Sequence, residues 1–178
     1  MIKYIIIIFL TMMNAGQEPF KQINISGDSG GYANGDTWDS NNLLDKINVI
    51  LYLDPSKMSD VEKFLSILDK EKFDNQKVTI TYIINTDATP IPNFMIKSKI
   101  KKKSKNNKNI SYILDNERIL IQQWGLIENS ANVIILNKLN QKLYYCSSIM
   151  DDNQIEIALN IIKNEIKQDE IQSIIGIK

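Results

Sequence analysis

Residues 47–53, Ile-Asn-Val-Ile-Leu-Tyr-Leu, form an almost wholly apolar run that Asp54-Pro55-Ser56 stops. A run of that length is too short for a typical helix and apolar in both directions of alternation. It predicts a central strand buried on both faces. Such a strand needs neighbours in a sheet and cover above and below, and the rest of the chain supplies both. Residues 78–84 and 132–136 are further β-branched strands, and 111–114 is a shorter one. Between them lie helical patterns. Ser59-Asp60-Val61-Glu62 reads as a capping box ahead of Val61, Phe64, Leu65 and Leu68, which share one helical face. Thr89-Pro90-Ile91-Pro92 breaks the chain before a short helix at 94–103, which is expected to run into a lysine-rich loop. Residues 118–123 form a short helix ended by Gly125. Asn137-Lys138-Leu139-Asn140 turns the chain into a hairpin partner at 142–146. Asp151 or Asp152 caps a last helix whose buried stripe is Ile155, Leu159, Ile162 and Ile166. Strands alternating with helices predict one α/β domain with a mixed, mostly parallel sheet and helices on both faces.

Ahead of the central strand, residues 16–36 are polar and glycine-rich around one alternating segment at 20–26. Gly27-Asp28-Ser29-Gly30-Gly31 and Asn34-Gly35-Asp36 read as turns at a hairpin; their oxygens do not have EF-hand spacing. Trp124 is expected to pack behind a helix end and Trp38 to cover the sheet edge. The apolar end, with Ile171, Ile174, Ile175 and Ile177, either extends the last helix or forms a sticky end for a partner.

The first fifteen residues have another character. Lys3 precedes an unbroken apolar run at 4–10, and Ala15 follows a short polar stretch. A basic tip, a short apolar core and a small residue make a secretory signal pattern, with cleavage expected after Ala15. The competing reading, a buried first strand, does not explain the placement of the charge. The apolar core is shorter than the ~20 residues a membrane span needs, so no transmembrane anchor is expected after cleavage. The chain then divides into a signal peptide at 1–15, a domain at 16–168 and a tail at 169–178, and the expected location is the periplasm.

Composition narrows the chemistry. The chain has no histidine and one cysteine, Cys146. That excludes Ser–His and Cys–His nucleophiles, histidine-held zinc or haem, a Cys-x-x-Cys pair and an intrachain disulfide. Lysine plus arginine equals aspartate plus glutamate at 21 each, so no large field steers nucleic acid. There are 33 isoleucines, 20 lysines and 20 asparagines but a single arginine, Arg118, the signature of A/T-rich codons. Lys97, Lys99, Lys101, Lys102, Lys103, Lys105 and Lys108 form a basic stretch. It reads as a solvated insertion between strands or as a contact to an anionic surface, glycan or acidic partner. It lacks the interleaved arginines and aromatics of a nucleic-acid site.

The element order resembles the thioredoxin-like superfamily, most closely at Asp115-Asn116-Glu117-Arg118, Trp124-Gly125-Leu126 and the strand through Val133 to Lys138. More narrowly the chain is similar to the YtfJ family of small exported proteins. That similarity rests on Thr37-Trp38-Asp39-Ser40, Leu43-Leu44-Asp45-Lys46, Ile84-Asn85-Thr86-Asp87-Ala88 and Asn129-Ser130-Ala131-Asn132-Val133. The resemblance implies a thioredoxin-like three-layer sandwich. It also implies where a redox site stands in relatives: at the turn after the central strand, here Asp54, Pro55, Ser56, Lys57 and Met58, facing a cis-proline position that is Ala131 here. Both halves of that site are replaced together, and the family's small-glycine-arginine stretch is also absent there. The candidate binding face is therefore Asp54, Pro55, Ser56 and Lys57 with Ser130 and Ala131.

These readings lead to an exported, non-catalytic binding or scaffold protein, with an envelope protein or anionic surface as partner and no metal or organic cofactor implied. The alternatives are a periplasmic thiol-redox or peroxidase-related enzyme using Cys146 alone, and a nucleic-acid-binding regulator.

Overall fold

Alternation decides which side of the sheet each residue serves. All seven residues of the central strand β4 (Ile47–Leu53) are buried. Ile47, Val49, Leu51 and Leu53 enter one core and Ile50 and Tyr52 the other. In the same way β5 (Val78–Asn85) sends Ile80, Tyr82 and Ile84 to the first core and Ile83 to the second, and β7 (Ala131–Leu136) sends Val133 and Ile135 to the first and Ile134 and Leu136 to the second. The computed structural model describes residues 20–106 and 110–176. The expected signal segment at 1–15 and Lys108 lie outside the described residues.

Two short strands, β1 (Asn24–Ile25) and β3 (Trp38–Asp39), pair antiparallel with each other. The main sheet has six strands in the order β2-β6-β5-β4-β7-β8, where β2 is Gly30–Tyr32, β6 is Ile110–Asp115 and β8 is Lys142–Cys146. β4, β5 and β6 are mutually parallel, while β2, β7 and β8 each pair antiparallel with their inner neighbour. The sheet is mixed, and its parallel portion is the centre. Three helices cover the first face: α1 (Glu62–Lys70), α2 (Asn93–Asn106) and α4 (Asp152–Ile175). The second face is covered by the short α3 (Ile119–Trp124) and by the N-terminal arm, through Ile23, Ile25, Trp38 and Leu43. The arm is clamped by aromatic contacts: Phe20 and Trp38 lie 4.7 and 6.3 Å from Trp124, whose indole N–H donates to the Lys21 carbonyl.

Several local readings change. The turn expected at 27–31 contains the edge strand β2. Gly30 and Gly31 have φ of 126° and 108°, and a Cβ on Gly30 would stand 2.0 Å from the Leu114 carbonyl oxygen. Only glycine lets this strand lie against β6. The capping box at Ser59 does not form. The chain enters a 3₁₀ turn at Pro55–Val61, capped by Asp54, and passes directly into α1, so there is no fresh helix end at Ser59 to cap. The helix expected at 94–103 forms and runs three residues further, so Lys105, expected in a loop, is helical too. Ile96 and Ile100, one turn apart, are buried on the sheet, and lysine is a good helix former, so α2 continues to Asn106. The last helix is capped by Asp151 in a reciprocal box with Gln154 and runs unbroken through residue 168. Its far end is held by Lys138–Asp169 and Lys77–Glu170 ion pairs while Ile171, Ile174 and Ile175 stay exposed. No helix among the described residues is long and apolar enough to cross a membrane.

At the end of β6, Asp115 is fully buried. Its carboxylate accepts N–H groups from Glu117, Ile119 and Leu120 and, at 3.2 Å, the Tyr52 hydroxyl from β4. It thereby supplies the acceptor for the start of α3 and ties that helix to the central strand. Burial, then the Asp115 charge, pushes the Tyr52 phenol well above its ordinary pKa. Asp115→Ala takes the acceptor from all four donors, two of them in buried bonds, and is expected to cost about 2–4 kcal/mol in urea unfolding. Tyr52→Phe, which removes one of four donors, is expected to cost about 1 kcal/mol.

Candidate functional site

β4 ends where the redox pair of a thioredoxin-like enzyme would begin. Here Asp54, 3% exposed, turns its carboxylate back on its own turn. One oxygen accepts both the Ser56 N–H and the Ser56 hydroxyl, each at 2.8 Å. Pro55 occupies the first position of the 3₁₀ turn, where its missing N–H is not needed, and the Lys57 N–H donates to the Asp54 carbonyl at 2.9 Å. Ser130 and Ala131 meet this turn from β7. Ala131 is the register partner of Leu53, and the Asp54 N–H points at the Ser130 carbonyl at 3.4 Å. The Ser130 hydroxyl donates to the Ser147 carbonyl at 2.6 Å, which attaches the end of β8 to the same corner. Asp54, Pro55, Ser56, Lys57, Ser130 and Ala131 therefore occupy one place.

The chemistry available there is limited. An alcohol needs a general base to become a nucleophile, and a carboxylate already acting as a cap is a poor one. No cis peptide bond stands at Ala131 or elsewhere among the described residues. No cluster of three metal-ligating side chains occurs among them either. Cys146 is on β8 opposite Val133, 6% exposed, with its sulfur 3.5 Å from the Ser148 hydroxyl. It sits two residues inward of Ala131 and one strand over, packed into the first core rather than opening onto the turn.

The motifs that carried the family resemblance converge beside this corner. Asn85 is paired with Asp115 across β5 and β6. The Thr86 hydroxyl donates to the Asn116 side chain at 2.6 Å, and Arg118 bridges Asp87 at 2.8 Å and Glu128 at 3.0 Å. Arg118 itself has a left-handed backbone, φ 57°, which Asp115 holds by accepting the next N–H groups. The lysines of α2 (97, 99, 101, 102, 103 and 105) are exposed, and Lys99 and Lys103 among them border the side of the helix that faces the sheet. Missed by sequence reasoning is a cleft of about 480 Å³ beneath that helix, reached from Pro55 and Met58. The spacing of Ile96 and Ile100 marks the face that the helix turns to the sheet, but not the space left beside it.

Residues 22–165 match the model of a family described as "Bacterial protein of unknown function (YtfJ_HI0045)". The chain belongs to that family. It is 22% identical over 135 residues to "Uncharacterized protein YtfJ" of Escherichia coli (strain K12), covering 74% of this chain and 73% of the relative. An uncharacterized protein of Haemophilus influenzae is likewise 22% identical over 133 residues, covering 73% and 72%. Among solved structures the fold is similar to an exposed lipoprotein thioredoxin of Streptococcus pneumoniae, with TM-score 0.55, 12% identity and 81% and 99% coverage. It is also similar to a DsbF homologue from Corynebacterium diphtheriae, with TM-score 0.53, 15% identity and 83% and 88% coverage. The fold is thioredoxin-like.

Burial of Cys146 has a direct readout. In native protein an aromatic disulfide reagent should modify the thiol slowly, with a rate that rises as urea opens the fold, and unfolded protein should react at once with one equivalent. Immediate reaction in the native state would mean the β8 corner opens far more readily than its packing indicates.

Proposed function

We propose that this YtfJ-family chain is an exported, non-catalytic thioredoxin-fold protein that serves as a binding or scaffold module in the periplasm. The observation that carries the reading is the turn after β4, where the redox position is a carboxylate closed on Ser56 and the facing residue is Ala131. Disulfide exchange needs a thiolate attacker and a second thiol to resolve the mixed disulfide. Neither is present at this turn, and the chain's one cysteine is buried on another strand. The recognition face in this reading is the exposed Ser56 with the half-buried Pro55 and Lys57, standing on the buried Asp54, Ser130 and Ala131. Its partner is an envelope protein or an anionic surface reached by the lysines of α2. Export rests on the basic tip, short apolar core and Ala15 of residues 1–15.

Two measurements test this. Expressed in a bacterium with its full N-terminus, the protein should appear in the periplasmic extract with a mass that begins at Gly16; intact Met1 on cytoplasmic protein would contradict export. In insulin-disulfide reduction and peroxide consumption, wild type and Cys146→Ser should both stay at background. Turnover that Cys146→Ser abolishes would replace the binding module with a single-cysteine enzyme.

A further inference from the structure

The cleft of about 480 Å³ lies between α2, α1 and the β5–β6 face of the sheet, within the roughly 300–1,000 Å³ of small-molecule sites. Its polarity is divided along its length. At the end nearest the turn after β4 the walls are Pro55, Met58, Ile84 and Ile91. β5 leads back from Ile84 to Tyr82, whose register partner on β6 is Tyr112, their rings 5.4 Å apart. α2 is the crossover between these parallel strands and runs opposite to them. It carries the wall from Ile96 down to Lys99 and Lys103 at the tyrosine end. Lys99 and Lys103 are one turn apart, exposed, and in no ion pair among the described residues. Asp69 of α1 stands on the other lip, and two lysines against one aspartate leave that end positive. Tyr82 is 7% exposed, and its hydroxyl is buried with no hydrogen-bond partner among the described residues. A buried phenol with a free O–H is costly in a native core, and an acceptor atom arriving in the cleft relieves it.

We propose that this cleft binds a single-chain anionic amphiphile, its alkyl chain lying on Ile84, Ile91 and Met58 and its anionic head between Lys99, Lys103 and the Tyr82 hydroxyl. The proposal rests on the binding-module reading and names a ligand class for it. Charge complementarity sets the sign of the head: a cationic head meets two lysines and only Asp69. The apolar end sets the tail, because an alkyl chain matches walls made by Ile84, Ile91 and Met58. Pro55 belongs both to the cleft wall and to the turn after β4, so the ligand lies directly beneath the recognition face.

The test is calorimetric titration of the purified protein with dodecanoate below its aggregation concentration. Saturable one-to-one binding is expected. Decanoate should bind about 10- to 20-fold more weakly, since each buried methylene is worth about fourfold. Dodecyltrimethylammonium should bind at least about tenfold more weakly, as charge reversal at an exposed mouth predicts. Lys99→Glu/Lys103→Glu, on the exposed side of α2, should lose at least about tenfold. Tyr82→Phe should lose severalfold without loss of thermal stability, because it removes an unpaired hydroxyl. Leu65→Trp, which fills the cleft, should abolish binding with the unfolding midpoint kept. Absence of saturable binding, equal affinity for the cationic chain, or indifference to the double glutamate change would overturn the proposal. So would binding only to anionic vesicles, alike in wild type and Leu65→Trp, which would assign the lysines to a membrane surface. The insulin assay on the same preparation separates the two readings. Turnover together with dodecanoate binding removes the non-catalytic reading and keeps the cleft; an inert protein that ignores dodecanoate removes the cleft alone.

Discussion

A carboxylate with no access to water must be given its hydrogen bonds by the protein, and Asp115 receives four from three parts of the chain. An ionised group in that position is tolerable only when every partner is in place. The end of β6, the left-handed step at Arg118, the first turn of α3 and the hydroxyl of Tyr52 on β4 are therefore fixed together. Arg118, once set in its unusual backbone state, spans Asp87 and Glu128 and pins the segments that follow β5 and precede β7. The Asn116 side chain donates to the Asp28 carbonyl and its N–H to that of Ser29, which brings in the arm leading to β2. One aspartate thus sets the C-terminal rim of the parallel strands, the rim on which α/β folds place their sites.

The sheet was legible because its information is local and redundant. β4, β5 and β7 each carry several β-branched residues in a row, and no other placement buries them. Helix ends were legible where one residue type decides them, at Gly125 and, narrowed to two neighbouring aspartates, at Asp151. What could not be read depends on contacts distant in sequence. Nothing near Gly30 says that it lies against Leu114. Nothing in Ser59-Asp60-Val61-Glu62 reveals that Asp54 has already started the turn five residues earlier. The end of the lysine-bearing helix was read too early because nothing apolar follows Ile100 to mark its last turn.

The site was legible in part. The meeting of residues 54–57 with 130–131 follows from the antiparallel pairing of β4 with β7, which the fold resemblance implied. The cleft did not follow from it. A cavity is a property of what two surfaces fail to fill, and no single segment of sequence records it. The shared wall at Pro55 makes the two places one region. The proline ring fixes the backbone at that position and gives the turn and the cleft a common rigid edge.

The strand order also has a temporal meaning. β2 is synthesised before every strand it joins in the sheet, yet among the described residues it pairs with β6 alone, and Gly30 must wait for Asp115. Phe20 and Trp38 wait for Trp124 in the same way. The earliest part of the chain is the last to find its place, and closure of long loops is the slow part of building a sheet. Until β7 enters beside β4, a nascent chain has no second core to shut. The contacts that shut the second core run from the late half of the domain back onto the early one.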